Sequence, residues 1–235
     1  MERTAFLQNL ANQLQRPLNT TEKPVNDWAF KPIEKHYSVM NEQQLVEALE
    51  QQCKNIHTDV VKTTSENLAK TLHEVVAKYG EGPVSIWDDP RFTQHGCQTL
   101  LDETWPAEKR TIHKWDADQS RDRNFANANE AKVGVAFSEY CLTESGTVVL
   151  YSAKGAGKAV GLLPYAFVAV VPKSTILPRM TQAAEIIQKR VDAGEILPHA
   201  IDFVSGPSNS ADIEMKLVVG VHGPVEATYI ILEDC

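Results

Sequence analysis

Phe6, Leu7, Leu10 and Leu14 recur at intervals of three and four, so the chain opens on an amphipathic helix, which Arg16-Pro17 ends. From Pro17 to Ser38 this period is lost. Pro17, Pro24 and Pro32 alternate there with Trp28, Phe30 and Tyr37, the composition of an extended arm that rests its aromatics on the core or on a second subunit. Asn41, an N-cap with Gln44 three residues on, opens a second helix through Leu45, Val46, Leu49 and Cys53. Ser65 caps a third, which carries Leu68, Leu72, Val75, Val76 and Tyr79 and has Gly80 at its C′ position. The short β-branched runs Thr58 to Thr63 and Pro83 to Trp87 flank that helix. Strand, helix, strand predicts parallel pairing with a right-handed crossover.

Between Asp88 and Asn129 the pattern gives a helix around Phe92 to Leu101, a strand at Thr111 to Trp115 and a helix capped by Ser120. Strands then dominate: Val133 to Phe137, Thr147 to Tyr151, Phe167 to Val171, Ile201 to Val204, Leu217 to Val221 and Tyr229 to Leu232. One helix interrupts them, Pro178 to Ala193, closed by Gly194. The expected class is α/β, with a mixed, mostly parallel twisted sheet flanked by helices and with hairpins in the second half. Residues 1–40 form the helical and aromatic arm, and 41–235 the body.

Composition narrows the partners. With 235 residues, 43% hydrophobic and 23% charged, the chain can bury a large core and has no disordered or fibrous bias. No run approaches the roughly 20 apolar residues of a membrane span, and MERTAFLQNLANQLQR has no secretory apolar stretch, so a cytoplasmic location is expected. A net charge of −8 works against binding nucleic acid. The four cysteines, Cys53, Cys97, Cys141 and Cys235, stand too far apart to grip a metal from one turn, and no cofactor is expected on this chain. His36, His57, His73, His95, His113 and His199 show no ligand spacing either.

Four segments invite chemistry. Glu144-Ser145-Gly146-Thr147 puts a carboxylate and a hydroxyl at the entry to an apolar strand, although turns of that composition are common in hairpins. Lys154-Gly155-Ala156-Gly157-Lys158 lacks the spacing of a phosphate loop and reads as a basic hairpin tip. Ser205-Gly206-Pro207-Ser208-Asn209-Ser210, leading on to Asp212 and Glu214, offers hydroxyls and backbone N–H groups at the start of a helical turn, a place that favours an anion. Gly220-Val221-His222-Gly223-Pro224 sets an imidazole between tight-turn glycines, where Asp212 or Glu214 could orient it for proton transfer. The plain alternative is that His222 is structural or exposed and Asp212 caps a turn.

The segments Ser205 to Glu214 and Gly220 to Pro224, with Glu144 to Thr147 and Leu162-Leu163-Pro164, resemble the lactate utilization protein C family of LUD-domain proteins over roughly Val133 to Leu232. Ser145 departs from the family's Thr. The resemblance implies a fold similar to ribose-phosphate isomerases, coenzyme A transferases and formyltetrahydrofolate cyclo-ligases, so residues 41–235 become a LUD-type domain. It also implies a part in oxidising L-lactate to pyruvate beside two partner proteins that carry iron–sulfur clusters. The family supplies no catalytic residues to carry over. From position, Ser208, Ser210, Gly206, Thr147 and Glu214 are expected to hold a small carboxylate, while His222 with Glu144 or Asp212 handles a proton. Two other readings stand beside this: a stand-alone enzyme or binding protein for a phosphorylated or nucleotide-like molecule, and a non-catalytic assembly factor. A homodimer through the arm is a further expectation.

Overall fold

A computed structural model describes residues 2–18, 40–213 and 215–235, without the side chains at 212 and 213. The chain divides into two compact units, 1–35 and 36–235. The first contains α1 (Arg3–Gln13), whose Phe6 and Leu10 are exposed, as is Leu14 just after it. The aromatic arm around Trp28, Phe30 and Tyr37, and the homodimer contact expected of it, lie outside the described residues.

In the second unit, α2 (Glu42–Asn55) begins with the expected capping box: Gln44 N–H donates to the Asn41 side chain at 2.9 Å, and Asn41 N–H donates to the Gln44 side chain at 3.0 Å. The central sheet is built from β1 (Thr58–Thr63), β2 (Val84–Ile86), β3 (Ile112–Lys114), β4 (Val133–Phe137), β7 (Ala166–Pro172) and β12 (Glu226–Leu232). Their order is β1-β12-β7-β4-β2-β3, and every pairing is parallel. β4 and β7 are buried almost throughout, which is why they read as unbroken apolar runs.

One face of this sheet is covered by α3 (Leu68–Lys78), α4 (Arg91–Gln94) and α5 (Trp105–Ala107), through Leu72, Val75, Phe92 and Trp105. The other face packs against α2 and a second sheet ordered β8-β5-β6-β9, made of β5 (Tyr140–Leu142), β6 (Thr147–Tyr151), β8 (Ile176–Leu177) and β9 (Ile201–Ser205). Beyond that sheet, Leu142 and Val149 meet Ala183 of α8 (Met180–Asp192). The remaining elements are α6 (Arg121–Glu130), α7 (Ala159–Leu162) and the separate hairpin of β10 (Asn209–Ile213) with β11 (Lys216–Val219).

Three expectations need correction. The single helix from Phe92 to Leu101 is interrupted: Gly96 turns out of α4 at a φ of 71°, and a π-wound turn over Leu100–Thr104 leads into α5. Pro106, with no N–H to donate to the preceding turn, accounts for the widened winding there. Ser65 does not cap α3 with its own side chain; its N–H and hydroxyl instead donate to Asp234 at 2.8 and 3.2 Å. Finally, Asn209 and Ser210 start no helix, because they pair in β10 with Val219 and Val218.

Candidate functional site

Chain direction across the central sheet locates a crevice. From β2 the chain moves outward to β3, whereas from β4 it moves the opposite way, to β7 and then β12. The adjacent strands β4 and β2 therefore form a topological switch point, and the space beyond their carboxyl ends is where an open parallel sheet leaves room for a ligand. Trp87, Asp88 and Asp89 leave β2 at that point, and Ser138 and Glu139 leave β4.

Arg91, the first residue of α4, ties these two exits together. Its Nε donates to both Asp89 oxygens at 3.0 and 2.9 Å, and one terminal nitrogen reaches Asp89 at 2.7 Å and Glu139 at 2.9 Å. The other donates to the Ser138 carbonyl at 3.3 Å, and the guanidinium lies 5.0 Å over the Phe137 ring. The local turn is set by Asp89 itself, which accepts the Arg91 N–H at 2.9 Å. Burial alone would lower the Arg91 pKa, but the hydrogen bond and charge of Asp89, followed by Glu139, raise it above the ordinary guanidinium value. The result is a fixed cation between two carboxylates.

Two hollows flank the Trp87 to Pro90 segment. One, of about 420 Å3, is lined by Asp88, Asp89, Arg91, Glu139, Tyr151 and Arg190 among others. Arg190 donates to Glu195 at 2.6 Å and lies 5.3 Å over the Tyr151 ring, whose hydroxyl is buried. The other, of about 760 Å3, runs beside β3. The supposed basic hairpin tip closes down on this end of the sheet: Trp87 Nε1 donates to the Gly157 carbonyl at 2.9 Å, and Asp88 N–H donates to the Gly155 carbonyl at 2.8 Å. Gly157 has to be glycine, because a Cβ there would stand 2.1 Å from the Trp115 ring.

The residues singled out in the sequence gather at the opposite, amino end of the same sheet. The serine-rich bend and the histidine loop do meet: Ser208 N–H donates to the Pro224 carbonyl at 2.8 Å, Gly220 N–H to the Ser208 carbonyl at 2.9 Å, and His222 N–H to the Ser208 hydroxyl at 3.2 Å. These bonds use the groups that would have received an anion. Gly206 N–H is likewise committed, to the Tyr229 hydroxyl at 3.0 Å. Thr147 is buried and shares a hydroxyl chain with Ser145 at 2.7 Å and Ser205 at 2.6 Å. Ser210 is buried, and His222 is exposed. Glu144 accepts from Arg179 at 2.7 Å. Glu214 and the Asp212 side chain lie outside the described residues.

Asp89, Arg91 and Glu139 were missed. Their signal was available in Asp88-Asp89, directly after a predicted strand of the parallel sheet. The segment after Val204 instead follows β9, a strand of the second sheet antiparallel to β6.

The family model described as LUD domain matches residues 46–232. Proteins named "Lactate utilization protein C" are similar over almost the whole chain. One from a Geobacillus species is 48% identical over 99% of this chain and 96% of its own length, and one from Bacillus subtilis is 46% identical over 98% and 95%. A crystal structure of a DUF162 family protein from Deinococcus radiodurans shares the fold with a TM-score of 0.58, at 15% identity, over 82% of this chain and 99% of that one.

Proposed function

Because the chain belongs to the LUD domain family, we propose that it serves lactate utilization, as a component of L-lactate oxidation to pyruvate that works with two iron–sulfur partner proteins. The observation that carries this reading is the 48% identity to a protein named for lactate utilization, over nearly the full length of both chains. Oxidation of L-lactate removes two electrons and two protons, and in this reading the electrons pass to iron–sulfur centres on the partners.

The three buried thiols of this chain suit that division of labour. Burial pushes Cys53 up to about 12 and Cys97 up to about 11, and it holds Cys141 well above the ordinary thiol value. A thiol held protonated is a poor cluster ligand. No helix among the described residues is long and apolar enough to cross a membrane.

We place the small carboxylate at the switch-point crevice. Glu139, held by Arg91, is the acceptor for the hydroxyl of a hydroxy acid, and Arg190 on the same hollow is the cation for its carboxylate. A phosphorylated or nucleotide-like ligand fits less well, because Asp88, Asp89 and Glu139 oppose a dianion.

The test is a lactate-dependent dye-reduction assay on the purified partners, with and without this chain. Reduction that needs the chain supports the role; equal reduction without it removes the role. Thermal stabilisation by sugar phosphates or ATP but not by L-lactate would favour the stand-alone reading.

A further inference from the structure

The hollow of about 760 Å3 lies beside β3, the last strand of the central sheet. Val84 N–H donates to the Thr111 carbonyl at 2.8 Å, and Trp115 N–H donates to the Ile86 carbonyl at 2.8 Å. In a parallel ladder alternate residues face the same neighbour, so 111, 113 and 115 face β2 while the main-chain groups of Ile112 and Lys114 point away from it. Those outward N–H and C=O groups have no partner among the described residues. Proteins usually blunt such an edge with a helix, a loop, a proline or a bulge, and here a groove runs beside it instead.

We propose that the β3 edge and this groove take an extended segment of another protein as an added strand, one carrying a basic side chain next to an apolar one. Main-chain bonds to Ile112 and Lys114 supply the attachment, and the side chains of the incoming strand supply the selection. The apolar part of the groove is Ile86, Phe92, Leu101 and Ile112.

Charge selects the rest. The cations on the groove are already engaged: Lys114 with Asp88 at 3.0 Å, and Arg110 with the carbonyls of Gly80 and Gly82 at 3.1 and 3.0 Å. Asp102 accepts from the Gln98 amide and has no ion-pair partner among the described residues. Across the whole lining, the three carboxylates of Asp88, Asp89 and Asp102 stand against the two cations Arg110 and Lys114, so the groove carries one anion in excess. A second copy of this chain, with its net charge of −8, would bring the same acidic rim to the edge. The inference does not depend on the role in lactate oxidation.

A capped pentapeptide of sequence TVKVT is the probe, titrated into the full chain with backbone amides followed by NMR. Saturable shifts at the Ile112 and Lys114 amides are expected. Replacing the probe's lysine by glutamate, or making Asp102→Asn, weakens binding by about threefold at low salt, the size of an exposed charge pair. Ile112→Pro removes an outward N–H, keeps the bonds to β2 and abolishes binding. Should that variant unfold, a probe with N-methylated amides decides the matter on the unaltered protein, because it cannot form the ladder. The proposal is overturned if the N-methylated probe binds as well as its parent, if millimolar TVKVT leaves both amides unmoved, or if Ile112→Pro abolishes only self-association.

Discussion

Tyr229 shows how much one buried polar atom organises. Its hydroxyl accepts from Gly206 N–H at 3.0 Å and lies 2.9 Å from the Gly146 carbonyl and 3.3 Å from that of Val204, so β12 holds the turn before β6 and the bend after β9 in one place. Burial keeps the phenol well above its ordinary pKa, so it remains a neutral donor and acceptor. Tyr229→Phe preserves the ring but strands a buried N–H, which costs about 2 kcal/mol. For a chain of this size that is a fall in Tm of about 4–8 °C, to be read by calorimetry. A Tm within 1 °C of the parent, roughly the scatter of such measurements, would mean that water replaces the lost hydroxyl.

Among the elements, β3 and α6 meet at His113. Its Nε2 has no hydrogen-bond partner among the described residues, with Glu130 at 3.9 Å. Burial lowers its pKa first, Glu130 opposes that shift, and Arg123 adds to it. Protonation is thus easier in the unfolded chain than in the folded one. The contribution is fully present above the ordinary histidine value of about 6.5 and is lost as pH falls through that value towards the lower folded one. The urea midpoint of the wild type should therefore drop further between pH 7.5 and pH 5, a span of roughly three-hundredfold in proton activity, than that of His113→Gln. Parallel profiles would assign the drop to other groups.

The same scale explains what the sequence made legible. Asn41 with Gln44, and the glycines after α3 and α8, act on their nearest neighbours, and β4 and β6 are runs whose burial is written in their side chains. The broken helix after Arg91 was illegible because Gly96 and Pro106 sit inside an otherwise helical apolar pattern. β10 was misread because Asn209 and Ser210 are turn formers that a two-stranded ladder tolerates, whereas the strand read at Leu217 to Val221 is found as β11.

At the scale of the molecule, the candidate site depends on strand order, which no local pattern contains. Glu139 stands beside Arg91 only because β4 is next to β2, although β3 lies between them in sequence. Polar turns at both ends of the sheet look alike in sequence; what separates them is that the carboxyl end keeps open hollows, whereas at the amino end Ser208 and Gly206 spend their N–H groups on the protein itself. A complementation assay can read that difference. Glu139→Gln keeps the volume and removes the charge, and Arg91→Lys keeps the charge but cannot reproduce the fork that spans Asp89 and Glu139. Both should impair growth on L-lactate while growth on glucose and the amount of folded protein stay unchanged. His222→Ala, at an exposed position whose backbone N–H survives the substitution, should grow as the parent does on both. The reverse outcome, with His222→Ala defective and Glu139→Gln normal, would move the ligand to the amino end and give Ser208 and His222 the role their residue types first suggested.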